Sequence, residues 1–418
     1  MKRTGFGEPL RRLRRKHGLT QQQVADELAK LAWTQRKTRV GVDRQMVSKW
    51  EREEKCPDQL YRELLCLLYG VTQQQLGFRP VLITEAPAQT IGSSPPEELE
   101  SPLDIAERVQ TLTYSNTSDA ALDHLDEVIQ LIVEEYETAG PATLVSRVVR
   151  QRRLVTELLD GRQPPRQRER LYGIAAKLSG LLGYMAVNLG KFSAAKAYCA
   201  EAFQLGDLVG DQDMQAWARG TESFCAYYMG DYRRAADLAR DGQRYARTGP
   251  QAVRLAINGE ARALTKLGDA RGVDEAVSRA FRLSDRFEPV PGVSPCISFG
   301  LYSQARTASN AATAYVALRQ PERVQEYADQ AMPVFESSQS CWSQSLVRLD
   351  IATALVVAER PEPEQAGRLV TDALTISAER PITSVLSRSR EFLSVASRWS
   401  KLPEIVEVAE TLRAAERR

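Results

Sequence analysis

Apolar residues recur at helical spacing along almost the whole chain. Beyond Ser101 they fall at i, i+3, i+4 and i+7, alanine is abundant and strict alternation is nearly absent. This pattern predicts an all-α protein made of amphipathic helices. Breaks punctuate the pattern at Leu189-Gly190-Lys191-Phe192, Met229-Gly230-Asp231-Tyr232 and Leu267-Gly268-Asp269-Ala270. They continue at Arg319-Gln320-Pro321-Glu322, Arg360-Pro361-Glu362 and Ser400-Lys401-Leu402-Pro403. Positions 190, 230, 268, 320, 361 and 402 are separated by 40, 38, 52, 41 and 41 residues. Each break has helical pattern on both sides, so the repeating unit is a helix hairpin, and stacked hairpins make a solenoid. The one irregular interval, of 52 residues, contains Pro289-Val290-Pro291-Gly292 and Pro295. Two less regular helices, Leu122 to Tyr136 and Thr143 to Leu159, are expected to pack on as an entry cap.

Small residues stand where the two helices of a hairpin must approach closely. Leu182, Gly183 and Ala186 precede the first clear turn, and Ala195 and Ala202 follow it. Ala226, Ala235 and Gly242 surround the second, and Ala261 and Ala280 the third. That spacing about a Gly-Asp/Lys-Tyr/Phe turn resembles tetratricopeptide repeats, with helices longer than the minimal 34-residue unit. HEAT-like or armadillo-like stacking is the structural alternative.

The first 80 residues read differently. Leu10 and Leu13 share a first helix with the basic run Arg14 to Lys16, and Gly18 suits its left-handed end. Thr20 with Gln23 forms a capping box before a second helix with Val24, Ala25 and Leu28 on its apolar face. Asp43 caps a third helix, with Met46 or Val47 and Trp50 turned inward. Pro57-Asp58 opens a fourth, expected to bury Leu60, Leu64, Leu65, Leu67 and Leu68, and residues 72–76 make a short fifth. The composition then changes: residues 81–102, with Pro87, Pro95, Pro96 and Pro102 among serines and glutamates, read as a semi-extended linker.

The charge follows this division. The chain of 418 residues has a net charge of +2, but residues 1–80 hold 17 Lys+Arg against 9 Asp+Glu and the rest is acidic. A basic head on an acidic body points to a polyanion-binding module attached to something else. The domains expected are therefore 1–80, a linker over 81–102, and a helical repeat unit over 103–418. Six scattered cysteines without a CxxC pair suit reduced thiols in a cytoplasm, not a disulfide framework or a zinc site. No run reaches the ~20 apolar residues of a membrane helix. With two histidines and no GxxxxGK[ST], GxGxxG, GxSxG or HExxH sequence, the chain is not expected to be an enzyme, to hold a metal or to need a cofactor.

Leu19-Thr20-Gln21-Gln22-Gln23-Val24-Ala25, followed by Val42-Asp43-Arg44-Gln45-Met46-Val47-Ser48-Lys49-Trp50-Glu51, resembles the Xre/lambda-repressor-type helix-turn-helix, from Gly7 to about Phe78. The resemblance implies a five-helix DNA-binding domain whose third helix enters the major groove. One departure is an insertion over roughly Leu31 to Gly41, with Trp33, Gln35, Arg36, Lys37 and Arg39, which either lengthens the second helix or forms a basic loop. On that docking, Arg44 bridges guanine O6/N7 and Gln45 adenine N6/N7, with Ser48 and Lys49 a turn further on. Gln21 matches the family's phosphate-contacting glutamine, and Arg14, Arg15 and Arg36 are generic phosphate partners.

Joined to tetratricopeptide-like repeats, such a reader resembles a broad class of bacterial transcription regulators. The resemblance implies a cytoplasmic homodimer on double-stranded DNA, with a peptide, small molecule or protein held by the repeats. If the first helix of each hairpin lines the concave face, the inward positions are Tyr184 and Asn188, then Trp217, Phe224, Tyr227 and Tyr228. Asn258, Arg262 and Lys266 follow, then Arg306, Thr313 and Arg348. Aromatic, amide and basic groups together suit an extended peptide or an acidic small molecule. The alternative function is a repeat scaffold whose head binds DNA without sequence preference.

Overall fold

The computed structural model describes residues 5–36, 40–71, 76–78 and 101–417. Among these residues every regular element is a helix. Contacts divide the chain into two units, Met1–Leu99 and Glu100–Arg418.

The first unit contains α1 (Gly7–Lys16), α2 (Gln21–Arg36), α3 (Arg44–Glu51) and α4 (Gln59–Tyr69). Local chemistry sets the boundaries. Gly18 takes φ 67° after α1, a conformation that costs a residue without a Cβ least. Thr20 and Gln23 bond reciprocally: the Gln23 amide donates to Thr20 Oγ1 at 3.2 Å and the Thr20 amide to Gln23 Oε1 at 2.8 Å. Asp43 accepts from the Met46 amide at 2.8 Å and Asp58 from the Tyr61 amide at 3.1 Å. The second helix runs 16 residues, so part of the inserted segment lengthens it. Residues 37–39, the positions 72–75 of the expected fifth helix and the linker over 81–100 lie outside the described residues.

Val24, Leu28, Val47, Trp50, Leu64 and Leu65 form the core of this unit. Three of the five leucines expected in the core of α4 are not buried. Leu67 is 58% exposed, because it falls on the side of the helix away from Leu65 and Tyr69, and Leu60 and Leu68 are only half-buried.

The second unit opens with α5 (Pro102–Thr113), none of whose residues is buried. The cap hairpin is α6 (Asp119–Ala139) and α7 (Pro141–Leu159). Then come α8 (Pro165–Asn188) with α9 (Phe192–Leu208), and α10 (Gln212–Tyr228) with α11 (Tyr232–Ala246). The first helix of the next hairpin is interrupted: α12 (Pro250–Arg254) passes through a π-wound stretch, Leu255–Ala261, into α13 (Arg262–Lys266), and α14 (Ala270–Ser284) returns. Three hairpins complete the unit, α15 (Gln304–Val316) with α16 (Pro321–Glu336), α17 (Cys341–Val357) with α18 (Pro363–Ile376), and α19 (Thr383–Val395) with α20 (Pro403–Glu416). Gly190, Gly230 and Gly268 turn the first three clear hairpins at φ 69°, 82° and 76°. Ala195, Ala202, Ala235, Ala261 and Ala280 are fully buried between helices. A Cβ on Gly242 would lie 2.7 Å from Leu255, so this helix pair approaches too closely even for alanine.

The stack does not end open. Helix α19 packs against α8 and α10, and α17 against α6. Glu137 of α6 accepts from the Cys296 amide at 2.8 Å and pairs with Arg306 of α15 at 3.0 Å, and the Ser340 hydroxyl donates to its other oxygen. The Asn188 amide donates to the Tyr136 hydroxyl at 2.8 Å, and the Thr383 hydroxyl to the Asn188 carbonyl at 3.0 Å. Hairpins far apart in sequence are thereby tied across the inside of the unit.

The irregular interval supplies part of this closure. Between α14 and α15 the chain inserts Ile297 and Tyr302, both fully buried, and sets Phe299 against Trp217 at 4.9 Å between ring centroids. Removing one member of a buried ion pair leaves the other charge stranded and costs roughly 3–5 kcal/mol. Glu137→Ala is therefore expected to lower unfolding free energy by that amount, measured by urea denaturation. Glu127→Ala, at a side chain 73% exposed on the same helix, is expected to stay within about 0.5 kcal/mol of the parent.

Candidate nucleic-acid interface and repeat lumen

The side chains expected to read DNA lie on one face of α3. Arg44, Gln45 and Lys49 are exposed and Ser48 is half-exposed, whereas Val47 and Trp50 point into the core. These four residues border a broad concave surface together with Gln21, Gln22, Asp43 and Arg52. The Asp43 cap leaves the first turn of α3 at the surface, where its free amides and the helix dipole favour an anion.

Arg14 departs from expectation. Its guanidinium forks onto the buried Glu51 carboxylate, with Nη2 to Oε2 at 2.9 Å, and its Nη1 donates to the Leu19 carbonyl at 3.1 Å. It is an internal tie between α1 and α3, not a free phosphate partner. Gln21 is also engaged, its amide donating to Glu51 Oε2 at 2.8 Å, yet it still borders the α3 surface. Burial pushes the Glu51 carboxyl up, but hydrogen bonds from Arg14 and Gln21 and the charges of Arg14 and Arg11 hold it below the usual value. Arg15 is exposed. The Arg36 side chain lies outside the described residues. Arg52 was not anticipated, although it follows the motif run directly and stands eight residues, just over two turns, after Arg44.

In the repeat unit the inner helices leave two adjoining cavities. The inner one, of about 60 Å³, is bordered by Tyr184, Asn188, Phe224 and Tyr228, by Asn258 and Arg262, and by Arg306 and Thr313. The outer one, of about 290 Å³, is bordered by Tyr227, Lys266 and Thr313. Ten of the twelve expected groove residues thus converge. Trp217 does not line either cavity: it is fully buried and donates from Nε1 to the Ser298 carbonyl at 2.9 Å. Arg348 points elsewhere, to the Gln344 carbonyl and Glu336.

The residues that helical phase missed come from two sources. Asp350 of α17 and Arg388 and Glu391 of α19 border the outer cavity, the latter two because ring closure brings the last hairpin inward. Cys296 and Tyr302 reach the inner cavity from the proline-rich loop, which no periodicity could place. The charges are mostly paired: Lys266 with Glu391 at 2.7 Å, Arg388 with Asp350 at 2.9 Å and Arg306 with Glu137. Arg262 instead donates to Asn258 Oδ1 at 2.6 Å and to the Tyr228 hydroxyl at 3.0 Å, with its face on the Tyr227 ring at 4.5 Å.

No protein-family model matches the chain, and no curated protein matches it. No described helix is long and apolar enough to cross a membrane.

The field around Arg262 has a spectroscopic consequence. Burial pushes the Tyr228 phenol up, but Arg262 and Arg388 outweigh it and bring the phenol below its ordinary value near 10, while burial raises Tyr136 and Tyr184 well above. A phenol lowered in the fold stabilises it fully above about pH 10, and that contribution is lost as the pH falls through the lowered value. In an alkaline titration followed by phenolate absorbance, Tyr228→Phe should remove the earliest-ionising tyrosine. An unchanged early phase would contradict the assignment.

Proposed function

We propose that the protein is a sequence-specific DNA-binding transcription regulator of the Xre-type helix-turn-helix kind, whose tetratricopeptide-like repeat unit dimerises and senses a ligand. The observation carrying this reading is the face of α3. Four polar or basic side chains, Arg44, Gln45, Ser48 and Lys49, stand on an Asp43-capped helix whose opposite face is anchored by Val47 and Trp50. Arginine pairs bidentately with guanine and glutamine with adenine, so the two leading residues carry base discrimination. Gln21, Gln22 and Arg52 border the same surface and, with the exposed Arg15, serve as phosphate partners, which fix register without reading sequence.

One such head binds weakly. Two heads in a dimer reach half-sites one DNA turn apart, about 34 Å, and gain affinity and direction together. The repeat unit supplies the means of regulation: a ligand bound in the lumen that favours one arrangement of the hairpins changes the spacing of the heads, and by linkage DNA changes ligand affinity equally.

Selection of bound sequences from a random duplex library tests the reading. It should enrich a palindromic motif. Arg44→Ala should cost about 1–3 kcal/mol and relax one base position. Arg15→Ala should weaken binding to all sequences alike and flatten the logarithmic salt slope by about one. Absence of any enriched motif would favour a scaffold with a non-specific head.

A further inference from the structure

The lumen holds more positive charge than the fold itself needs. Five cations border the two cavities, Arg262, Lys266, Arg306, Arg319 and Arg388. Three of them are matched by Glu391, Glu137 and Asp350. Arg262 and Arg319 are not.

Arg262 is 3% exposed, it makes no ion pair among the described residues, Asp350 acting on it only from beyond contact distance, and its Nε has no hydrogen-bond partner. A buried guanidinium without a counter-charge is disfavoured unless something else supplies one. Arg254 is also buried without an acid, donates twice, to the Trp217 carbonyl and the Thr221 hydroxyl, and likewise has an unpartnered Nε, but it borders neither cavity. Arg262 does border one. It follows directly on the π-wound stretch Leu255–Ala261, a feature frequent at functional sites.

Arg319 is unusual in another way. It sits at φ 54°, in the position of the hairpin turn where the three preceding repeats have glycine. An L-residue with a long side chain is strained there. Its side chain is exposed at the edge of the outer cavity and makes no hydrogen bond or ion pair among the described residues. A strained arginine where glycine would serve, free of internal partners and facing a cavity, has the hallmarks of a side chain retained for a ligand.

The remaining walls limit what that ligand is. Val316, Leu349, Val357 and Val395 give the outer cavity an apolar lining. Its volume lies just below the usual range for small-molecule sites, which leaves little room for an extended peptide at about 3.3 Å of length per residue. Thr313 and Arg388 border both cavities, so a head group in the inner one and a body in the outer one are neighbours.

From this we infer that the lumen binds a small monocarboxylic acid with an apolar body, its carboxylate completing Arg262 and its entry assisted by Arg319. This deepens the sensor reading and rests on it for any effect on transcription, but the binding itself does not.

Calorimetric titration of the full chain without DNA tests the assignment, with octanoate, 1-octanol and octylamine as probes of equal body and different head. Octanoate should bind once per chain, at least tenfold more tightly than octanol, and octylamine should not bind. Arg262→Met should lose at least tenfold in octanoate affinity while its thermal midpoint without ligand stays equal or rises. Arg319→Gly should keep or raise that midpoint, since glycine suits the turn, and weaken octanoate several-fold. Equal binding of octanoate and octanol, no binding of octanoate, or full binding by both variants would overturn the proposal. Because no DNA is present, such a result would leave the operator reading standing, and a failed operator selection would leave this one standing.

Discussion

The carboxylate of Glu137 is the constraint on which the repeat unit depends. It stands at the end of the cap hairpin and takes hydrogen bonds from the Cys296 amide, the Arg306 guanidinium and the Ser340 hydroxyl, groups separated from it by 159 to 203 residues. An open solenoid is held together by neighbour-to-neighbour contacts alone. Here the first hairpin is fastened to the loop before α15 and to the hairpins beyond it, and α19 completes the circuit against α8 and α10. Closure turns a concave surface into a partly enclosed lumen. It also explains why the polar and charged groups buried there pair with one another: an inner wall withdrawn from bulk solvent must satisfy its own donors and acceptors.

The two units use charge in opposite ways. In the head, the Arg14–Glu51 pair is spent on joining α1 to α3, while Arg15, Arg44 and Lys49 face outward. In the lumen, carboxylates pair most of the cations internally, so that the exceptions stand out against a neutral background. A buried pair contributes little net stability compared with apolar packing, but it penalises alternative arrangements severely. That is consistent with ties such as Arg388–Asp350 and Lys266–Glu391 fixing which helices meet inside the ring.

Much of this was legible in the sequence for identifiable reasons. The Gly190, Gly230 and Gly268 turns announce themselves because a left-handed turn favours glycine, and the small residues around them mark close helix contacts. The caps at Thr20, Asp43 and Asp58 follow from the local chemistry of a helix start. Helical phase also picked most of the lumen, since inner helices present every third or fourth residue inward. What escaped was non-local. Arg14 looked like any surface arginine until α3 brought Glu51 against it. Trp217 had the right phase but was covered by Ser298 and Phe299, whose loop has no period. Arg319 was hidden in a turn, where an arginine at positive φ cannot be told from one at negative φ by its neighbours in sequence. Arg388 became visible only once the last hairpin was seen to fold back onto α8 and α10.

Closure of the ring is the claim from which the lumen, its charges and its proposed ligand all follow, and native-state hydrogen exchange tests it most directly. In a closed ring the inner amides of α6 and α19 open only with the whole unit, so both should exchange with one common free energy, and Glu137→Ala should lower it for both alike. Independent opening of the α19–α20 hairpin at a much smaller free energy, unaffected by that substitution, is the behaviour of an open stack and would contradict the account.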